Sequence, residues 1–251
     1  MKTIAEHYNL EPERGVVAEN TQLAPKIFKM AIDTNECRFS GSGQYALIEL
    51  EDEVGAFPVC EFDGRRFTVV IYTEDDFSEK LSALQIGTEI MVLTGMGNGY
   101  DIESIPDDTY LVADAAGVAQ MFSLTREMLM SGKNCKLILE FPCKDMIFMV
   151  DSFRNLCNDI EVLTTDGSNG REGRIEDTVR KAKYVCAGGS PVMLYKLQSN
   201  IENGQFNLIE LTRKNHDEVL IPVDNGVKDL LSEGPIFDKS EIDWNGISEI
   251  I

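Results

Sequence analysis

The chain has 251 residues, 43% of them hydrophobic, enough for the core of one large domain or two ordinary ones. Its 23 Lys and Arg against 43 Asp and Glu give a formal charge of -20, which disfavours nucleic acid and anionic membrane surfaces as partners. Met1 to Leu10 mix charged and polar side chains with no apolar h-region, and no uncharged apolar run is long enough to span a bilayer, so a cytoplasmic location is expected.

From Gly15 to Leu93, short β-type runs alternate with turn signals: Val16 to Ala18, Ile27 to Ile32, Tyr45 to Leu50, Arg66 to Tyr72 and Glu89 to Leu93. Asp63-Gly64 between two such runs marks a hairpin. The spacing predicts a small antiparallel barrel. Ile105-Pro106-Asp107-Asp108 reads as a linker, with a boundary near Asp107.

Beyond it the rhythm becomes strand, helix, strand, helix, which predicts a parallel crossover sheet. Strands are expected at Tyr110 to Ala113, Cys135 to Phe141, Ile160 to Thr165, Tyr184 to Ala187 and Phe206 to Leu211. Helices are expected from Val118 to Leu129, Met146 to Cys157, Ile175 to Ala182, and from Pro191 to about Asn203 with Ser190 as its N-cap. The whole reads as a β-barrel followed by an α/β nucleotide-binding domain: residues 1–106, 107–211, and a charged, turn-rich tail at 212–251 with an amphipathic stretch at Val227 to Leu231.

The six cysteines, Cys37, Cys60, Cys135, Cys143, Cys157 and Cys186, are scattered without a Cys-x-x-Cys pair and read as reduced, mostly buried thiols. The histidines are His7 and His216, and there is no nucleophile elbow, His-Glu-x-x-His or P-loop string, so hydrolytic catalysis finds little support. Acid or base chemistry by the many carboxylates stays open, and His216 reads as a solvated loop residue. No metal site is expected.

Glycine-rich turns at strand ends are the informative sites, because backbone amides and helix N-termini can hold a phosphate there. Ala113 to Gly117 offers only Gly117, with Asp114 repelling a diphosphate, and reads as a plain strand-to-helix turn. Thr164-Thr165-Asp166-Gly167-Ser168 is either a ribose or phosphate loop or an Asp-Gly surface turn. Cys186 to Pro191, with Gly188 and Ser190, is either an anion-binding helix start or a well-capped one.

The order of these motifs resembles the ferredoxin-reductase superfamily, specifically the electron transfer subunit of dihydroorotate dehydrogenase B. Gly43-Gln44-Tyr45 looks like that family's Gly-Gln-aromatic strand and Gly97-Asn98-Gly99-Tyr100 like its Gly-Asn-Gly-aromatic turn; the Thr164 loop, Cys186 to Met193 and Gly234-Pro235-Ile236-Phe237 follow in family order. The resemblance implies a barrel holding FAD, an α/β domain receiving NAD(P), a 2Fe-2S cluster in the tail, and a protein partner docked near Val219 to Trp244.

This chain departs from that pattern. Phe57-Pro58-Val59-Cys60 replaces the family's Arg-Pro-x-Ser, Ile71-Tyr72-Thr73 corresponds to the next flavin segment, and Phe77-Ser78 to a Gly-Thr pair amid Glu74, Asp75, Asp76 and Glu79. No cysteine lies between Leu211 and Gly234, so the cluster has no thiolate ligands there. Together these readings mark Phe57, Pro58, Cys60, Tyr72, Ser78, Gly97, Asn98, Gly117, Thr164, Asp166, Cys186, Gly188 and Ser190 as candidate cofactor contacts. Phe57 and Tyr72 are expected against a flavin ring and Ser78 at a phosphate. The implied function is electron transfer through FAD without a cluster; the alternative is a non-redox regulatory or structural binding protein on the same scaffold, acting with a partner or as a homo-oligomer.

Overall fold

The computed structural model describes residues 10–51, 53–213, 219–224 and 226–251, which places His7 and His216 outside the described residues. Six strands, β1 (Glu13–Ala24), β2 (Ile27–Asp33), β3 (Tyr45–Leu50), β4 (Glu53–Phe62), β5 (Arg66–Tyr72) and β6 (Glu89–Met96), close an antiparallel barrel in the order β1-β2-β5-β4-β3-β6. Alternation along the strands sends Val17, Met30, Ile32, Ile48, Phe67 and Val69 into one apolar interior.

β4 is not among the predicted runs, because Gly55 and Pro58 interrupt its hydrophobic pattern. Pro58 nevertheless pairs with Tyr45 across β3, and a bulge between Val59 and Glu61 follows directly. The acidic stretch after β5 forms a short helix, α1 (Asp76–Ser82), started by a capping box between Asp75 and Ser78.

The second half carries β7 (Thr109–Asp114), a 3-10 turn (Ala115–Gly117), α2 (Val118–Met130), β8 (Cys135–Phe141), α3 (Val150–Arg154), β9 (Ile160–Thr164), β10 (Arg171–Glu172), α4 (Ile175–Thr178), β11 (Ala182–Gly188), α5 (Pro191–Gln198) and β12 (Ile201–Asn207). A 3-10 turn (Ile209–Arg213), a hairpin of β13 (Leu220–Val223) and β14 (Gly226–Asp229), α6 (Leu230–Glu233), β15 (Ile236–Asp238) and α7 (Trp244–Ile250) complete the chain. The sheet order is β10-β9-β8-β7-β11-β12-β15, parallel except for β15, which runs antiparallel to β12.

Four expected elements differ in extent. Met149 takes the left-handed region at φ 58, so the helix expected from Met146 begins only at Val150. Lys181 does the same at φ 65, which ends the segment after α4 just before β11. The helix expected to reach Asn203 stops at Gln198, and the strand expected at Phe206 begins at Ile201, its polar Glu202, Asn203 and Gln205 having masked the β pattern.

An apolar cluster runs from the barrel into the sheet layer, joining Cys60 and Val70 to Phe122, Phe141 and Phe153. The linker after Tyr100 is held in place: the Lys133 ammonium donates to the carbonyls of Ile102, Glu103 and Ile105, and the Gln205 amide donates to the Ser104 hydroxyl at 3.0 Å. No helix among the described residues is long and apolar enough to cross a membrane.

The Gly-Gln-aromatic and Gly-Asn-Gly motifs meet in space. Gln44 accepts the Ser40 amide at 2.7 Å and donates to the Gly97 carbonyl at 3.0 Å, and the Tyr45 hydroxyl donates to the Leu231 carbonyl at 2.7 Å. Asn98 pairs with Ile236 in both directions, its amide donating to the carbonyl at 2.8 Å and its carbonyl accepting the amide at 2.9 Å. Asn98→Ala is expected to cost about 1 kcal/mol in a urea unfolding curve and to speed limited proteolysis near Ile236; unchanged cleavage would show that this pairing does not hold β15.

Candidate functional site

Two cavities lie where the sequence motifs converge. The first, about 230 Å³, is bounded by β4, β5 and α1 through Phe57, Pro58, Tyr72, Phe77 and Ser78, with Ile209 and Thr212 from the 3-10 turn after β12 opposite. The rings of Phe57 and Phe77 stand 6.2 Å apart at 34°, and a side chain at Gly55 would lie 2.6 Å from one and 2.8 Å from the other. The glycine therefore lets two aromatics crowd one strand. Tyr72 donates its hydroxyl to the Ala115 carbonyl across the barrel-to-sheet boundary and meets Phe148 edge-on at 6.3 Å.

The second cavity, about 440 Å³, opens at the carboxyl ends of β7 and β8, between Asp114, Glu140, Pro142, Thr165 and Arg174. Tyr72 and Glu74 line both cavities, so the two share a wall. Glu140 is buried, accepting Arg174 at 2.8 Å and the Ile175 amide at 2.8 Å, and burial raises its carboxyl against those two partners. The pair was not singled out from sequence, because Glu140 sits inside a strand and Arg174 lies 34 residues later.

Asp114 turns inward. One carboxylate oxygen accepts the Ala116 amide at 3.1 Å and the Ser190 amide at 3.0 Å, and the Ser190 hydroxyl donates to the other. Burial, the largest cause, raises the Asp114 carboxyl above its ordinary range, opposed by hydrogen bonds from Ser190, Ala116 and Gly117. A folded-state value above the unfolded one near ~3.9 means that its contribution to stability is full below that pH and is lost as pH rises through the folded value. Asp114→Asn is therefore expected to gain stability relative to the parent chain as pH rises above about 4. Urea midpoints measured for both at each pH check this, and parallel pH slopes would refute it.

The candidate residues divide by location. Phe57, Pro58, Tyr72 and Ser78 come together in the barrel cavity. The Ser78 hydroxyl, expected at a phosphate, instead donates to Asp75 at 2.6 Å and accepts the Glu74 and Asp75 amides at 3.1 Å each. Cys60 and Cys186 are fully buried in the shared apolar cluster, where desolvation pushes both thiols well above their ordinary range. Gly97 packs on Gly234 and Pro235, and Asn98 serves Ile236.

Thr164 exchanges hydrogen bonds with Asn169 inside its own loop, and Asp166 forms a turn with the Ser168 amide at 2.9 Å. Gly117 allows backbone contact between the turn after β7 and the end of β11, and Gly188 leaves room for the Gln120 side chain of α2. Gln120, not singled out from sequence, is buried on α2 and donates to Glu210 at 3.3 Å beside the barrel cavity.

The fit to a dinucleotide is divided. The aromatic walls suit a planar ring, and 230 Å³ falls below the roughly 300–1,000 Å³ of small-molecule clefts. The donors that would hold diphosphates are taken by the chain's own carboxylates, Asp75 at α1 and Asp114 between β7 and α5.

No family model matches the chain. The dihydroorotate dehydrogenase B (NAD(+)) electron transfer subunit of Fusobacterium nucleatum is 30% identical over 213 residues, covering 76% of this chain and 81% of the relative. That of Clostridium perfringens is 22% identical over 247 residues, covering 94% and 99%. Among solved structures, a chain of the NADH-dependent reduced ferredoxin-NADP oxidoreductase superposes with a TM-score of 0.79 at 20% identity, covering 94% of this chain and 91% of that one. A ferredoxin NADP+ reductase from Neisseria gonorrhoeae with bound FAD and NADP does so at 0.66 and 17%, covering 76% and 90%. At 30% identity over three quarters of its length, the chain belongs to the family of dihydroorotate dehydrogenase B electron transfer subunits.

Proposed function

We propose that the chain is an electron-transfer oxidoreductase subunit on the NAD(P)H/FAD reductase plan, working beside a protein partner and without an iron-sulfur cluster. The shared wall carries this reading: Tyr72 and Glu74 line both the aromatic barrel cavity and the crevice at the sheet's carboxyl edge, which sets a ring site directly against a second ligand site. Residues 1–106 supply most of the first, 107–211 most of the second, and 212–251 stand in for a cluster-bearing tail. In this reading Phe57, Pro58 and Tyr72 hold a flavin ring, which supplies one- and two-electron redox chemistry when bound.

The residues at the diphosphate positions do not fit FAD or NAD(P), so no electron-transfer step is assigned to individual side chains. A specific observation favours a second reading, a regulatory or structural binding protein on the same scaffold: Asp75 and Asp114 both occupy donors that a cofactor phosphate would need.

The visible absorption spectrum of freshly purified protein, followed by titration with riboflavin, FMN and FAD, separates the two. A flavin band that bleaches under a chemical reductant supports electron transfer. Colourless protein that takes up none of the three flavins would overturn it in favour of the binding module.

A further inference from the structure

The parallel sheet reverses its strand order between β7 and β11, and open α/β sheets receive ligands at such a point, beyond the carboxyl ends of the strands. A ligand phosphate there is held by backbone amides at helix starts. In this chain those amides are already in use. Asp114, the last residue of β7, accepts the Ala116 amide ahead of α2 and the Ser190 amide at the start of α5, and so bridges the reversal point from both sides.

The surrounding backbone is shaped to this carboxylate. Gly189 adopts φ +146, and a side chain on it would lie 2.3 Å from the Asp114 carboxylate oxygen. Beside it a side chain on Gly117 would lie 1.9 Å from the Gly188 carbonyl oxygen, so the two strand ends stand too close to admit a bulky group between them. The crevice continues past Asp114 toward Pro142, Thr165 and the Glu140–Arg174 pair.

We propose that Asp114 is a selectivity residue of the sheet-side crevice: its carboxylate stands where a ligand diphosphate would be held and restricts the crevice to phosphate-free ligands of nucleoside or free-ring type. A phosphate brought to the same amides meets a like charge at hydrogen-bond distance with little water between them. The inference concerns this crevice alone and does not depend on a flavin in the barrel cavity.

The test is titration of the full chain with NADH, ADP and adenosine, comparing the parent protein with Asp114→Asn and Asp114→Gly by NADH fluorescence and calorimetry. Asp114→Asn keeps an oxygen acceptor for the Ser190 amide, and a thermal unfolding curve establishes which variants are folded. The expected result is a gain on the order of tenfold or more for NADH and ADP in the folded variants, with adenosine unchanged. Equal NADH affinity in the parent and folded variants overturns the proposal, and so does an equal gain for adenosine, which would signal a general opening. A colourless protein that takes up no added flavin yet still shows the phosphate-selective gain would refute the flavin reading and keep this one.

Discussion

Gly117→Val is expected to lower the unfolding free energy by about 3 kcal/mol or more, with a large fall in the urea midpoint. The first added carbon alone would lie 1.9 Å from the Gly188 carbonyl oxygen, 2.2 Å from its carbon and 2.7 Å from the Gly189 nitrogen. All three are backbone atoms, so no side chain can rotate away. Relief requires parting the turn after β7 from β11, which are joined through the Ala113–Gly188 pairing and the Asp114–Ser190 hydrogen bonds. Gly64→Ala is the control: open space surrounds that position, and a change within about 0.5 kcal/mol is expected. Comparable losses at both positions would show that the cost does not come from this contact, since removing a glycine by itself lowers unfolded-state entropy and stabilises.

Phe206→Ala is expected to cost about 3–5 kcal/mol. Phe206 lies on β12 with no exposed surface, and its ring meets Trp244 edge-on at 5.0 Å and 68°. Losing it empties the space between the sheet and α7 and removes the aromatic pair. Trp244 is the only tryptophan and its indole donates to the Lys239 carbonyl at 3.1 Å, so its emission reports this region directly. The variant should show a red-shifted native emission together with the lower urea midpoint. A shifted midpoint with unchanged emission would mean that α7 stays packed and the cost arises within the sheet.

Much of the architecture was legible because it rests on periodicity. Strands β3, β5 and β8 span the residues that their apolar patterns mark, and Ser190-Pro191 starts α5 as capping chemistry demands. β4 was hidden because Pro58 and Gly55 break the pattern of a strand whose partners lie elsewhere in the chain, at the Tyr45–Pro58 and Val59–Val69 pairings. The shortened helices depend on Met149 and Lys181 taking left-handed backbone, which no local residue preference announces.

At the candidate site, Phe57, Pro58, Tyr72 and Ser78 could be grouped from motif order. What Ser78 and Asp114 bond to could not. A hydroxyl or carboxylate at a helix start reads the same whether it meets a ligand or caps the chain itself. Only the approach of Asp114 to Ser190, 76 positions apart, decides between them. The Glu140–Arg174 and Gln120–Glu210 pairs were hidden for the same reason, being contacts made by the fold rather than by neighbours in the chain.

β15 is bonded on two sides, to β12 in the sheet and to Asn98 at the end of the barrel. It therefore acts as a hasp across the two halves: they cannot hinge apart while this strand keeps both sets of bonds. Amide exchange at Ile236 and Phe237 should accordingly be slow and should track global unfolding.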